Sequence, residues 1–171
     1  MKKVLLLSIA LFGCLYSYSQ SSINLTLHHD AKLLLIGDNK GNDAITINFL
    51  VKAEFSIKQY MTSALFAYPV IEYADLAGGN YQRYGVGIGY NLFDVLKNFD
   101  FGFSLDYGKL KRGNNYNGFS ANLNGEIAYR ISNRFKLSYV YQIGERPDLK
   151  ALYNSTTKFI GSGFIGVKFA L

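Results

Sequence analysis

The segment 99–108 reads FDFGFSLDYG, with large apolar or aromatic residues at every odd position and small or acidic ones at every even position. Alternation with a period of two puts successive side chains on opposite faces of an extended strand. Such a strand needs two chemically opposite surroundings, one for each face. The pattern recurs along the chain. In 44–57, Ile45, Ile47, Phe49, Val51, Ala53, Phe55 and Ile57 alternate with Thr46, Asn48, Leu50, Lys52, Glu54 and Ser56. In 81–93, Tyr84, Val86, Ile88, Tyr90 and Leu92 alternate with Arg83, Gly85, Gly87, Gly89 and Asn91. Leu123 and Tyr139 lie on the apolar faces of two further segments of this kind.

Eight strand-like segments follow from this reading: 22–36, 44–57, 60–73, 81–93, 99–111, 117–131, 134–145 and 158–171. No long stretch shows a 3.6-residue period, and no Pro/Ser-rich linker divides the 171 residues, so a single all-β domain is expected. The 17 glycines, 2 prolines and 16% aromatic content favour strands joined by tight turns. Two segments are irregular. The first loses its alternation past Leu27, in HHDAKLLLIG. In the third, Phe66 and Tyr68 have one parity and Ile71 and Tyr73 the other, so a β-bulge at Pro69 is expected to restore a single apolar face.

The N-terminus is read separately. Lys2 and Lys3 precede an apolar run from Val4 to Phe12, and Ser17-Tyr18-Ser19 before Gln20 suits a signal peptidase. Residues 1–19 therefore read as a cleaved export signal, leaving 20–171 as the barrel domain. The run Leu11-Phe12-Gly13-Cys14 resembles a lipoprotein box, so acylation of Cys14 is the alternative to its removal. With the signal cleaved, the mature chain has no cysteine and no thiol chemistry. The formal charge of +6 falls by two with Lys2 and Lys3, and the remaining cations are scattered, which argues against a nucleic-acid partner.

An alternating strand fits a soluble barrel with a greasy centre or a membrane barrel with a greasy exterior. Four features favour the second. The segments are long enough to cross a bilayer when tilted. Their number is even, with both termini on the side of the tight turns 58–59, 94–98 and 132–133; the longer connections 37–43, 74–80, 111–116 and 146–157 lie on the other. Aromatics (Tyr84, Tyr107, Tyr129, Phe135, Tyr141) gather toward strand ends, where membrane interfaces would lie. The polar rows are rich in Gly, Ser and Asn, which suits a crowded lumen.

The C-terminal GVKFAL (166–171) resembles the terminal assembly signal of outer-membrane barrels, with Gly166, Phe169 and Leu171 as its elements and Leu171 in place of the usual aromatic. Taken whole, 22–171 resembles the small eight-stranded outer-membrane β-barrels of the OmpA/OmpX type. The resemblance implies an antiparallel up-and-down transmembrane barrel in a Gram-negative outer membrane. Phe49, Ile88, Phe101, Phe103, Leu123, Tyr139 and Val167 would face lipid. Eight strands enclose a space that side chains just fill. Lys52, Arg83, Arg130, Lys136 and Lys168 are expected to pair there with Glu54, Asp100, Asp106 and Glu126, in a polar plug rather than a pore.

Enzymatic sites in such barrels need a His near a Ser or a carboxylate. The histidines are His28 and His29, in HHD. On a strand His28 and Asp30 share a face and His29 opposes them, which argues against one cluster, and no third Cys or His completes a metal site. GVGIG (85–89) has the glycine spacing of a strand row, not of a phosphate loop. KLKRG (109–113) would be a cationic patch beside lipopolysaccharide or a solvated loop tip. Leu149, Leu152 and Tyr153 are candidates for contact with an extracellular partner. The expected protein is a monomer, assembled by the barrel-assembly machinery, with neither catalytic residues nor a cofactor, acting through its loops in surface interaction or envelope integrity. The alternatives are a soluble exported barrel holding a lipophilic ligand and a lipid-modifying enzyme.

Overall fold

The structure, a computed structural model, describes residues 23–39 and 41–171. The expected signal segment 1–19, with Cys14, lies outside the described residues. Eight strands run β1 Ile23–Asp30, β2 Asn48–Gln59, β3 Ser63–Ala74, β4 Tyr81–Leu96, β5 Phe99–Arg112, β6 Tyr116–Arg130, β7 Phe135–Glu145 and β8 Phe159–Ala170. Each pairs antiparallel with the next, and β1 pairs with β8 through Leu27↔Val167 and neighbouring residues, closing the barrel. Two short helices interrupt the connections on one rim: α1 Ala31–Leu35 after β1, and α2 Pro147–Tyr153 after β7.

Three expectations are corrected. The first strand does not extend to residue 36. The Asp30 side chain accepts from Leu33 N–H at 2.9 Å and caps α1, which is why the alternation stops there. Ile45 and Ile47 precede the second strand; Ile45 has φ 67°, a left-handed conformation that no strand accommodates. Most consequential, β3 carries no bulge at Pro69, where Pro69 pairs with Val86 in an unbroken register from Ser63↔Leu92 to Ala74↔Tyr81. On the other side, pairing with β2 lapses between Lys52↔Val70 and Phe55↔Ala67 and resumes in the same register. Proline has no N–H to give that ladder, and the strand tolerates the missing bond without changing phase. The irregularity falls instead between Ser56 and Lys58.

The faces are now fixed. Outward-pointing side chains include Phe49, Val51, Val86, Ile88, Phe103, Leu105, Leu123, Ile127 and Tyr139, all exposed, with Phe103 at 60%. Phe101 and Val167 have the same parity and are half-buried by neighbouring outward side chains. The inward rows bury Lys52, Glu54, Arg83, Asp106, Asn122, Asn124, Glu126 and Lys168, with Arg83 at 0%. This is the inverse of a soluble barrel. It also removes the physical basis of the lipophilic-ligand alternative, because the centre is filled and largely polar.

The glycine row of β4 has a packing role. A Cβ on Gly87 would collide with the Tyr68 ring, and one on Gly89 with the Phe66 ring. Because Pro69 leaves β3 in phase, Phe66 and Tyr68 both point into the lumen, and only a wall without side chains opposite them leaves room. Around the outside, Tyr107 and Phe119 stack at 5.6 Å, and Phe99 meets Tyr129 at 5.1 Å, at opposite ends of β5.

Gly87→Ala should destabilise the folded barrel by about 1–3 kcal/mol through overpacking. Gly125→Ala, whose Cβ meets nothing within 4 Å, should change stability by less than about 0.5 kcal/mol. Urea unfolding in lipid vesicles separates the two.

Candidate functional site

Two regions hold the chemistry-bearing side chains: the lumen and the rim of long connections. In the lumen, adjacent strands β3, β4 and β5 supply Glu72, Arg83 and Asp106. Arg83 Nε donates to Glu72 Oε2 at 3.1 Å and Nη1 to Asp106 Oδ1. Asn124 Nδ2 donates to Asp106 Oδ2 at 2.8 Å, and Tyr68 Oη to Ser104 Oγ at 2.9 Å. A second set spans the barrel. Lys168 on β8 reaches Glu54 Oε2 on β2 at 3.0 Å and Glu126 Oε1 on β6 at 2.7 Å. Lys52 lies over the Tyr68 ring, 5.4 Å from its centroid. At the short-turn rim, Asp100 accepts from Lys136 at 2.5 Å and from Arg130 at 3.1 Å, and Arg130 also reaches Asp94 at 3.2 Å.

Lys52, Glu54, Arg83, Asp100, Asp106, Glu126, Arg130, Lys136 and Lys168 thus all point inward. The plug is nevertheless not wholly polar. Leu50, Phe66, Tyr68 and Val70 on β2 and β3 meet Val140 and Phe164 on β7 and β8, forming an apolar layer across the lumen. A cavity of about 10 Å³ beside Asp100, Glu126, Lys136 and Lys168 has room for about one water. The sequence reading did not name Glu72, although its place between Ile71 and Tyr73 gives it lumen parity; the expected bulge instead put Phe66 and Tyr68 on the lipid side, where the structure does not have them. The available signal was the Gly85, Gly87 and Gly89 row, which calls for large partners on the neighbouring strand.

His28, His29 and Asp30 diverge. His28 Nε2 on β1 lies 2.6 Å from Ser138 Oγ on β7, over Gly166 of the intervening β8, both groups buried. His29 meets Phe49 edge-on at 5.0 Å, and Asp30 caps α1. A His–Ser contact is the first requirement of an activated nucleophile. Here it is enclosed by the packed lumen and ties β1 to β7 across β8.

The long-connection rim forms a tied crown. Among the described residues it is built from 31–39, 41–47, 75–80 and 146–158; the β5–β6 connection, expected to be long, is a tight turn at 113–115. Ala77 N–H donates to Asn42 Oδ1 at 2.7 Å, Asp75 N–H to Ile47 O at 2.9 Å, and Gly113 N–H to Asn80 O at 2.8 Å. The Gly78 carbonyl accepts from Tyr153 Oη at 3.0 Å and from Arg112 Nε at 3.3 Å. Arg146 donates to both oxygens of the buried Asp148 at 2.8 Å and lies over the Tyr81 ring at 4.8 Å. Burial alone would lower the Arg146 pKa, and the bond to Asp148 more than offsets that, so its charge is firmly held. Beneath lies a second apolar cluster, Ala74, Tyr81 and Leu110, packed by Leu76 and Tyr116.

The KLKRG patch divides by parity. Lys109 and Lys111 point outward; Leu110 and Arg112 point inward and are buried. Leu149, Leu152 and Tyr153 lie on α2, the first two half-buried and Tyr153 exposed at 55%.

Arg83→Met strands the buried carboxylates of Glu72 and Asp106 and should cost about 3–5 kcal/mol in unfolding free energy. Neutralising all three together, as Glu72→Gln, Arg83→Met and Asp106→Asn, should cost clearly less. Denaturant titration of the single and triple variants checks this.

No family model matches the chain, and no curated protein matches it. Among solved structures it is similar to the Yersinia pestis outer membrane protein Ail in a phospholipid bilayer nanodisc, with TM-score 0.54 and 12% identity over 88% of this chain and 98% of that one. The crystal structure of Ail, the attachment invasion locus protein of Yersinia pestis, aligns at TM-score 0.46 with 11% identity, over 88% and 97% of the two chains. The NanC porin aligns at TM-score 0.36 with 14% identity, over 87% and 100%. At these identities the likeness is one of fold, and the first alignment carries it. The chain has the fold of a small outer-membrane β-barrel.

Proposed function

We propose that this chain is an integral outer-membrane barrel that conducts no solute and acts through its crown, in surface interaction or envelope integrity. The observation that carries the reading is the inverted burial: Phe103 is 60% exposed on the outer wall while Arg83 and Lys168, at 0% and 4%, are enclosed. An exposed apolar surface of this extent is costly in water and favourable in hydrocarbon. Closure leaves no unpaired strand edge to meet lipid. No helix among the described residues is long and apolar enough to cross a membrane, so the strands would do it. The lumen argues against a porin, since an apolar layer and two ionic sets occupy it.

On this reading the protein is a monomer inserted by the barrel-assembly machinery through the Gly166, Phe169 and Leu171 signal after export. Phe49, Ile88, Phe101, Leu123, Tyr139 and Val167 join Phe103 against acyl chains. Lys109 and Lys111 stand at the outer-leaflet level beside lipopolysaccharide, where opposite charge favours contact. The α2 segment of the crown presents Tyr153 outward to an extracellular partner.

The protein should remain with membranes after carbonate washing and migrate differently on detergent gels before and after boiling. In planar bilayers it should give no steady conductance. Replacing residues 147–156 by a tight turn should leave those properties intact and remove surface contact. Release by carbonate contradicts the membrane reading, and a steady conductance contradicts the closed lumen.

A further inference from the structure

Arg112 is the last residue of β5 and faces inward under the crown, between Tyr81 on β4 and Tyr116 on β6 in the strand register. It is 6% exposed. Its Nε is engaged by the Gly78 carbonyl, yet its buried Nη1 has no hydrogen-bond partner among the described residues. A buried guanidinium nitrogen without an acceptor is unfavourable, and groups of this kind call for a specific explanation. Asp148, the carboxylate whose charge Arg112 feels, does not supply one: it has both oxygens engaged by Arg146. Among the described residues Arg146 takes the ion pair with Asp148, and Arg112, whose guanidinium otherwise meets the Tyr153 hydroxyl, makes none.

Tyr153 approaches Arg112 from α2, with its hydroxyl on the same Gly78 carbonyl that Arg112 uses. Gly78 fits between them because it lacks a side chain; a Cβ there would lie 2.9 Å from both Arg112 Nη2 and Tyr153 Oη. The exposed Tyr153 thus stands beside the guanidinium, its hydroxyl near both the Gly78 carbonyl and Arg112. The aromatic walls of Tyr81 and Tyr116 keep the surroundings apolar, where an ion–ion contact is stronger than in water.

We propose that Arg112 is the binding group of an oxyanion subsite in the crown, latched by Tyr153, which takes a carboxylate or a phosphate group at the end of a ligand. Planar, paired N–H donors suit both. No bond is made or broken; the ligand group supplies the acceptor that Nη1 lacks, and Tyr153 swings aside to admit it. The inference names the ligand chemistry of the crown and so builds on the surface-interaction reading, but its test requires no cellular partner.

The test uses the full chain folded in detergent micelles, titrated with inorganic phosphate and, separately, with acetate. The readout is the NMR signal of the arginine side-chain N–H groups. Saturable shifts of the Arg112 signals are expected, and the tighter anion identifies the source. Arg112→Gln should abolish binding, whereas Lys150→Gln, on the exposed face of α2, should not. Tyr153→Phe, which frees the latch, should tighten apparent affinity about fivefold, roughly the factor that one such hydrogen bond represents. Arg112→Gln can be checked for folding by its heat-dependent gel migration. Shifts that persist in folded Arg112→Gln, or no saturable shift of Arg112 with either anion, would overturn the subsite while leaving the membrane barrel untouched.

Discussion

The pairing of β1 with β8 is the interaction on which the rest of the structure depends. Seven ladders run between consecutive strands; the eighth, from Asn24↔Ala170 to Asp30↔Phe164, joins the two ends of the sheet. Without it, two strands would present unpaired N–H and C=O groups, which hydrocarbon cannot solvate. With it, every strand has two neighbours, and the outer surface can be dominated by Phe, Tyr, Ile, Leu and Val. Closure thus permits inversion, and inversion in turn places the charged residues inside.

What the lumen must then solve is a problem of volume and charge together. Eight strands enclose a narrow space. The Phe66 and Tyr68 rings would not fit were Gly87 and Gly89 any larger. The ionic groups are handled differently at different positions. Arg83 pairs with carboxylates on its flanking strands, whereas Lys168 reaches across to Glu54 and Glu126 and so braces opposite walls. Buried ion pairs add little net stability relative to apolar packing, but losing one member is costly. The lumen charges therefore act as a fixed register more than as a source of stability. The crown extends the same logic outward, except at Arg112, where the pairing is incomplete.

Much of this was legible in the amino-acid order. Strict alternation in 99–108 and 81–93 located β5 and β4 to within a few residues, and the lumen ions followed from parity once a face was chosen. Parity also explains the misreadings. At Pro69 a missing N–H suggests a change of phase, but a single absent ladder bond leaves the register intact, so Phe66 and Tyr68 face the lumen and not lipid. The run HHDAKLLLIG lost its period because Asp30 starts a helix. The crown was the least legible part, since contacts such as Tyr153 to Gly78 join residues far apart in sequence with no periodic signal. In KLKRG the alternation was present but overlooked, and it separates buried Arg112 from outward Lys109 and Lys111.

The chain contains no tryptophan, so a single substitution gives an unambiguous optical probe of which face meets oil. With Phe103→Trp folded into vesicles, the inverted barrel predicts blue-shifted emission, strong quenching by lipids brominated in mid-chain and little quenching by aqueous iodide. Water-like emission, open to iodide and indifferent to brominated lipid, would contradict it.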